Sequence, residues 1–264
     1  MGFFASSGIL NRKGFFGGTR AFSPSSISGL DLWLDAADGN TLFDATSGGN
    51  LVTSDGSAVK RWQDKSGNLK HAIESTAAPL LEVAEKNGFN ALNFATSKYL
   101  TCTFSSKTFT AQTVFVVLKF STSTPSFGRA FTQSILNDND YAISGHYIPF
   151  LRNATNNQIS SYAGVGARSP VTATNATWYI ARARHSGSAL TVKLNASEGS
   201  SYSHTLNRSF LVYRIGASYV APSGGTDASF WNSLISEVIV YDKSLTDSES
   251  DLVTNYLNSK WAVY

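Results

Sequence analysis

Carboxylates are the residues most able to do chemistry in this chain, and their spacing limits what they can do. The six glutamates stand at 74, 82, 85, 198, 237 and 249, and none is four or five positions from another. A pair on one face of a strand would need an even, short spacing. Glu237, in Ile235-Ser-Glu-Val-Ile-Val240, is the one set in a clear strand pattern, with no acid within four residues. It reads as a structural group hydrogen-bonded at a sheet margin rather than as a catalytic acid. The four histidines, 71, 146, 185 and 204, lack metal-type spacing, and no Gly-x-Ser-x-Gly nucleophile turn occurs. Gly164-Val-Gly166 and Gly224-Gly225 lack a following Lys-Ser/Thr on a helix, so nothing supports a phosphate cradle.

Two acidic groupings have the hard oxygen donors that calcium takes: Asp35, Asp38 and Asp44, and Asp64 with Asn68. Neither matches an EF-hand loop, and Asx turns are the simpler account of both. Sugar binding asks for an aromatic ring that stacks on a sugar face beside fixed polar groups. Trp62, Trp178 and Trp231 stand near loops or strand ends and are candidates, with burial in a core as the alternative. Arg182 and Arg184 share a strand face and could hold an anionic sugar, or be solvated or acid-paired charges.

The elements that must position these groups read as strands. From residue 27 onward, short alternating or continuous apolar segments are separated by turn clusters. Strands are expected at Leu30 to Leu34, Ala91 to Phe94, Tyr99 to Phe104, Thr110 to Phe120, Ala130 to Leu136, Tyr147 to Leu151, Gln158 to Ala163, Trp178 to His185, Leu190 to Asn195, Val212 to Ala217 and Leu234 to Tyr241. Val114 to Leu118 is apolar on both faces and is therefore a central strand. Trp178 to His185 and Ser188 to Asn195, joined at Ser186-Gly187, form a hairpin. Thr246-Asp-Ser-Glu249 is a capping box with Leu245 as its staple, and opens a helix over 246–259 whose apolar stripe is Leu252, Val253, Tyr256 and Leu257.

Charge and composition narrow the partners. Residues 1–26 carry Arg12, Lys13 and Arg20 and no acid, which leaves 18 basic against 18 acidic residues in the remainder. An electroneutral body gives no footprint for nucleic acid. Only 15% of residues are charged, so Ser, Thr, Asn and Gly dominate the surface. Cys102 is the sole cysteine, which excludes an intramolecular disulfide or a Cys-based zinc cluster. No apolar run is long enough to span a bilayer, and the start lacks the order of a secretory signal. The pairs Phe3-Phe4 and Phe15-Phe16 sit among Gly and Ser with no period, so residues 1–26 read as an extended arm that orders against another protein, or tucks across its own body.

Leu30-Asp-Leu-Trp-Leu-Asp-Ala-Ala-Asp38, Val59-Lys-Arg-Trp-Gln-Asp-Lys-Ser-Gly-Asn68, Ile235-Ser-Glu-Val-Ile-Val-Tyr-Asp-Lys-Ser-Leu-Thr-Asp-Ser-Glu249 and Tyr256-Leu-Asn-Ser-Lys-Trp261 together resemble the concanavalin A-like, laminin-G-type jelly roll of phage fibre and virion proteins and bacterial surface proteins. The resemblance spans residues 27–264. It implies an all-β fold of two antiparallel sheets with one C-terminal helix, a concave face that often binds glycans, and calcium in some members, though no cofactor is required. Some relatives of this fold are retaining glucanases whose Glu-x-Asp-x-x-Glu strand supplies two carboxylates about 5 Å apart, and that strand is absent here. The Gly8-Ile-Leu-Asn-Arg-Lys-Gly-Phe-Phe-Gly-Gly18 stretch is similar to short leaders of phage structural proteins. The expectation is a non-enzymatic virion surface protein, capsid decoration or fibre-like. Residues 1–26, through Phe3, Phe4, Arg12, Lys13, Phe15 and Phe16, anchor it to other virion proteins, and it displays a homo-oligomeric lectin-like body toward host polysaccharide. A bacterial adhesin and a glycan-cleaving enzyme are the alternatives.

Overall fold

The computed structural model describes residues 22–264 except 96, 123, 125–126, 136–146, 153–156, 164–165 and 221–225, and gives the backbone alone for 219–220 and 226–228. In chain order the strands are β1 (Leu30–Asp35), β2 (Leu42–Phe43), β3 (Arg61–Trp62), β4 (Ala72–Ile73), β5 (Leu80–Lys86), β6 (Phe89–Asn93), β7 (Leu100–Phe109), β8 (Gln112–Lys119), β9 (Arg129–Ser134), β10 (Tyr147–Arg152), β11 (Gln158–Ala163), β12 (Gly166–Thr172), β13 (Trp178–His185), β14 (Ala189–Leu194), β15 (Ser197–Glu198), β16 (Tyr202–Ser203), β17 (Arg208–Ile215), β18 (Ser218–Val220), β19 (Thr226–Ala228) and β20 (Leu234–Tyr241), followed by the helix α1 (Asp247–Trp261).

Two antiparallel sheets form a sandwich, the class that the strand rhythm predicts. The first sheet runs β15-β14-β13-β8-β20-β6-β5, and the second β12-β11-β10-β9-β17-β7-β4-β3-β2. One edge of β20 is shared: Leu234 and Ile235 pair with β6, and residues 237–241 pair with β1 across a register shift at Ser236. The residues on β8 show why both faces of that strand are apolar. Val114, Val116 and Leu118 join Leu32, Leu34, Val238 and Val240 against Cys102, Phe131, Tyr213 and Ile215 of the second sheet. Phe115 and Val117 point the other way, into a layer with Trp33, Ile239, Tyr241, Val253, Leu257 and Trp261 under α1. Each such fully buried side chain contributes roughly 1.5–3 kcal/mol through burial.

The β13–β14 hairpin forms in the expected register, Arg182 opposite Lys193 and His185 opposite Leu190. Gly187 has φ +100, and a Cβ there would lie 2.8 Å from the Thr110 carbonyl oxygen, so the turn requires glycine. Thr246 caps α1 as expected: its hydroxyl accepts from the Glu249 N–H at 3.2 Å, and Glu249 Oε2 accepts from the Thr246 N–H at 2.9 Å. Two points of the helix reading are corrected. The helix runs to Trp261 and closes on Ala262 in the left-handed conformation. Leu252 is 49% exposed, because the buried stripe is Val253, Leu257 and Trp261 at i, i+4 spacing.

The boundary expected after residue 26 also moves. Pro24 is buried, its carbonyl accepts from the Tyr241 hydroxyl at 2.9 Å, and the Phe22 ring lies 6.0 Å from that of Tyr256. Residues 22–26 are thus part of the body, whereas Phe3, Phe4, Arg12, Lys13, Phe15 and Phe16 lie outside the described residues. Among the described residues, no helix is long and apolar enough to cross a membrane.

Candidate functional site

The aromatic candidates are placed by the sandwich itself. Trp62 on β3 and Trp231 before β20 are fully buried, so neither presents a ring face to a sugar, and the platform expected of them is corrected. Their indole N–H groups find no hydrogen-bond partner among the described residues. Trp178 is 9% exposed and packs beside Ile180 and Phe115 under α1. Arg182 pairs with Glu198 at 2.5 Å, and Arg184 with Asp247 at 2.5 Å. The face they share is acid-paired, and neither guanidinium is held out as a free anion receptor.

The calcium candidates are occupied by lysines and amides. Lys65 bonds Asp35 and Asp38 at 2.9 Å each, and Lys260 also reaches Asp35. Asp64 accepts from the backbone N–H groups of Trp33, Ser66 and Lys70 at 2.8–3.0 Å and from the Ser66 hydroxyl at 2.8 Å. Asn68 turns its amide N–H groups to the carbonyls of Leu30 and Asp31. These contacts tie the loop after β3 to β1, as Asx turns do. Among the described residues, no three His, Cys, Asp or Glu side chains converge as a metal site would require. The residues present do not fit a bound calcium at Asp35, Asp38, Asp64 and Asn68.

Two buried ionic clusters organise the first sheet. Asp31 on β1 receives Lys70 at 2.6 Å, Lys107 at 2.5 Å and the Tyr213 hydroxyl at 2.6 Å, and Lys107 continues to Asp242 at 2.8 Å. Burial alone would push the Asp31 carboxyl up, yet the Lys107, Lys70 and Tyr213 donors together hold it below its usual range. Glu237, on the α1 side of β20, takes four donors on its two oxygens: Trp33 Nε1 at 2.8 Å, the Tyr256 hydroxyl at 2.9 Å, Lys260 Nζ at 2.9 Å and Trp261 Nε1 at 2.6 Å. Burial, with Asp35 nearby, pushes this carboxyl up. Glu237 is structural, as its sequence context suggests, but it lies in the middle of the sheet beneath α1 rather than at a margin. There the bulge at Ser236 separates β6 from β1.

A third polar group lies inside the sandwich. His185 Nδ1 accepts from the Gly187 N–H at 3.0 Å, and its Nε2 lies 2.9 Å from His204 Nδ1. Burial, reinforced by His204, pushes His185 down to about 4.

The helix packs on the outer face of the first sheet. On the second, Thr132, Ser134, Val212 and Arg214 of β9 and β17, which alternate away from the core, are buried, whereas Thr103 and Ser105 of β7 are exposed.

A polar cleft of about 450 Å³ opens at the end of the first sheet, one of three openings of similar size among the described residues. It forms where β6 and β8 end and β13 and β20 begin, with Glu82 and Glu85 of the edge strand β5 on one side and Asn175 and Asn232 from the adjoining loops on the other. Glu82 Oε1 accepts from Asn93 Nδ2 at 2.7 Å, and Lys119 Nζ donates to Glu85 Oε1 at 2.9 Å. Asn175 Oδ1 accepts from the Thr122 N–H at 2.9 Å. Asn232 differs from the others: its Oδ1 is buried and has no hydrogen-bond partner among the described residues. The residue is fixed at φ +50 next to Trp231, whose N–H donates to the Gly216 carbonyl at 2.8 Å. Gly216 itself has φ +85, and a Cβ there would meet Phe94 at 2.2 Å. An orphaned buried acceptor costs about 1–3 kcal/mol, and this oxygen, without accessible surface, lies behind the cleft wall. The sequence reading missed this cleft entirely. β5 was unforeseen, and the residues that line the cleft share no local pattern.

No family model matches this sequence, and no curated protein matches it. Among solved structures, the chain is similar to a Trypanosoma rangeli sialidase in complex with sialic acid, at 11% identity and TM-score 0.54, over 88% of this chain and 33% of that one. A mutant of that sialidase displaying trans-sialidase activity matches at 12% identity and TM-score 0.55, over 89% and 34%. An arabinofuranosidase complexed with arabinofuranosyl-α-1,2-xylobiose matches at 10% identity and TM-score 0.57, over 77% and 51%. The chain spans about a third of the sialidases' length and about half of the arabinofuranosidase's. At such identities the likeness is one of fold: a β-sandwich shared with parts of larger glycan-processing enzymes.

Proposed function

We propose that this chain is a non-catalytic carbohydrate-binding module that holds a glycan in the cleft between Glu82, Lys119 and Asn232, and that residues 1–21 carry it on a virion surface. The observation that carries the reading is an open cleft lined by carboxylate, ammonium and amide groups, from Glu82, Glu85, Lys119, Asn93 and Asn175. Sugar recognition uses such fixed donors and acceptors. The jelly-roll resemblance and the fold shared with sugar-complexed enzymes support the same ligand class. A binding rather than cleaving role is supported by Glu237 and Asp35, which are both engaged by Lys260 beneath the helix. The virion placement rests on the arm sequence, two Phe-Phe pairs in a basic, acid-free leader. Display in several copies would raise a weak single-site affinity through avidity.

The test is a glycan array probed with the full chain, together with an assay for released reducing ends. Binding without release is expected, and a blank array sinks the reading. Release of sugar would replace it with the glycan-cleaving alternative. For the arm, a chain lacking residues 1–21, but keeping the docked 22–26, should fold and fail to enter particles. Normal incorporation would remove the anchoring role.

A further inference from the structure

We infer that the cleft selects neutral sugars and rejects acidic ones, although the fold matches include an enzyme bound to sialic acid. This rests on the cleft being the glycan site and goes further by naming the ligand's charge class.

The charged groups that line the cleft are Glu82, Glu85 and Lys119, one more carboxylate than ammonium. The single cation is already committed, since Lys119 Nζ lies 2.9 Å from Glu85 Oε1. No arginine lines the cleft among the described residues, so the forked donor that suits a sugar carboxylate is missing. The vacant position is an acceptor. Glu82 Oε1 accepts from Asn93, and Glu82 has no other protein hydrogen bond among the described residues. Its second oxygen calls for a donor. A neutral sugar hydroxyl donates one hydrogen bond and accepts others, so it can satisfy Glu82 while accepting from Lys119. A uronate or sialate carboxylate only accepts, and it would bring a second anion against Glu82 and Glu85 in a half-desolvated site. The aromatic ring at the cleft, Phe120, is fully buried, so hydrogen bonding rather than stacking sets the selectivity.

The experiment compares glucose, galactose and N-acetylglucosamine oligosaccharides with glucuronate, galacturonate and sialate counterparts of the same length. Full-length chain is titrated at physiological salt by ligand-observed NMR. At least one neutral series should bind, with its acidic counterpart about tenfold weaker or more, the scale of one like-charge contact at a partly buried site. Glu82→Gln, isosteric and at an edge strand, should weaken neutral binding and shrink the neutral-over-acidic ratio. Asn232→Gly, which suits the φ +50 backbone, should weaken binding without changing that ratio. Acidic sugars binding as tightly as neutral ones would overturn the inference while leaving the glycan reading intact. Neutral binding that neither variant alters would place the ligand elsewhere and overturn it too. Absence of binding by every series would instead overturn the glycan reading on which it stands.

Discussion

Glu237 beneath the helix and Glu82 at the cleft are carboxylates of the same sheet put to opposite uses. Four donors converge on Glu237, and no lone pair is spare for a ligand. Glu82, which lines an open cleft, has one protein donor among the described residues. A saturated buried network fixes one arrangement of the chain. An unsaturated one at an opening holds its hydrogen-bonding capacity in reserve. The lesson is that the number of unfilled partners, rather than residue type, separates scaffold from site in this sandwich.

The strongest way to break this comparison is at Glu237. Glu237→Gln places an amide NH₂ against some of the four donors and leaves Lys260 facing Asp35 alone. It should cost about 3–5 kcal/mol, read as a lower urea midpoint, because a buried charge network loses its central partner. Next in size is acid destabilisation through His185. The imidazole stays neutral in the fold down to about 4. The unfolded chain protonates near 6.5, so stability should fall as pH drops from about 6.5 to 4 and level off below. The full loss would be about 3 kcal/mol, and urea midpoints of wild type and His185→Gln at pH 7, 5.5 and 4 should show the gap move toward the variant by that amount. A constant gap would mean that the histidine pair does not titrate with unfolding. The smallest effect on stability is expected at the cleft, where Glu82→Gln should shift unfolding by no more than about 0.5 kcal/mol. A shift as large as that at Glu237 would erase the distinction between the two regions.

Signals confined to neighbouring residues were legible in the sequence. The Thr246 cap, the Ser186-Gly187 turn and the double-faced strand at Val114 to Leu118 each depend on contacts within a few positions or on period, and each appears in the fold. β5 was not legible, because Leu-Leu-Glu-Val-Ala-Glu-Lys is half charged and bends at Ala84, with φ +55, against its partner. The tryptophans misled for a related reason: a ring near a turn in sequence lies near the core whenever the turn folds inward, as at Trp62 and Trp231. The cleft joins five segments between residues 82 and 234 and has no local pattern at all. The two antiparallel sheets and the closing helix that the resemblance implied are present in the fold.

The shared edge of β20 also dictates the order of assembly. β1 finds its partner only when β20 arrives, with Trp33 and Glu237 separated by 204 positions. Until then the apolar strand β8 has one flank bare, and a chain emerging from the ribosome carries that unpaired edge from β8 until β20 is made. Closing the sheet requires β20 to dock between β8 and both β6 and β1, with the helix behind it sealing the layer.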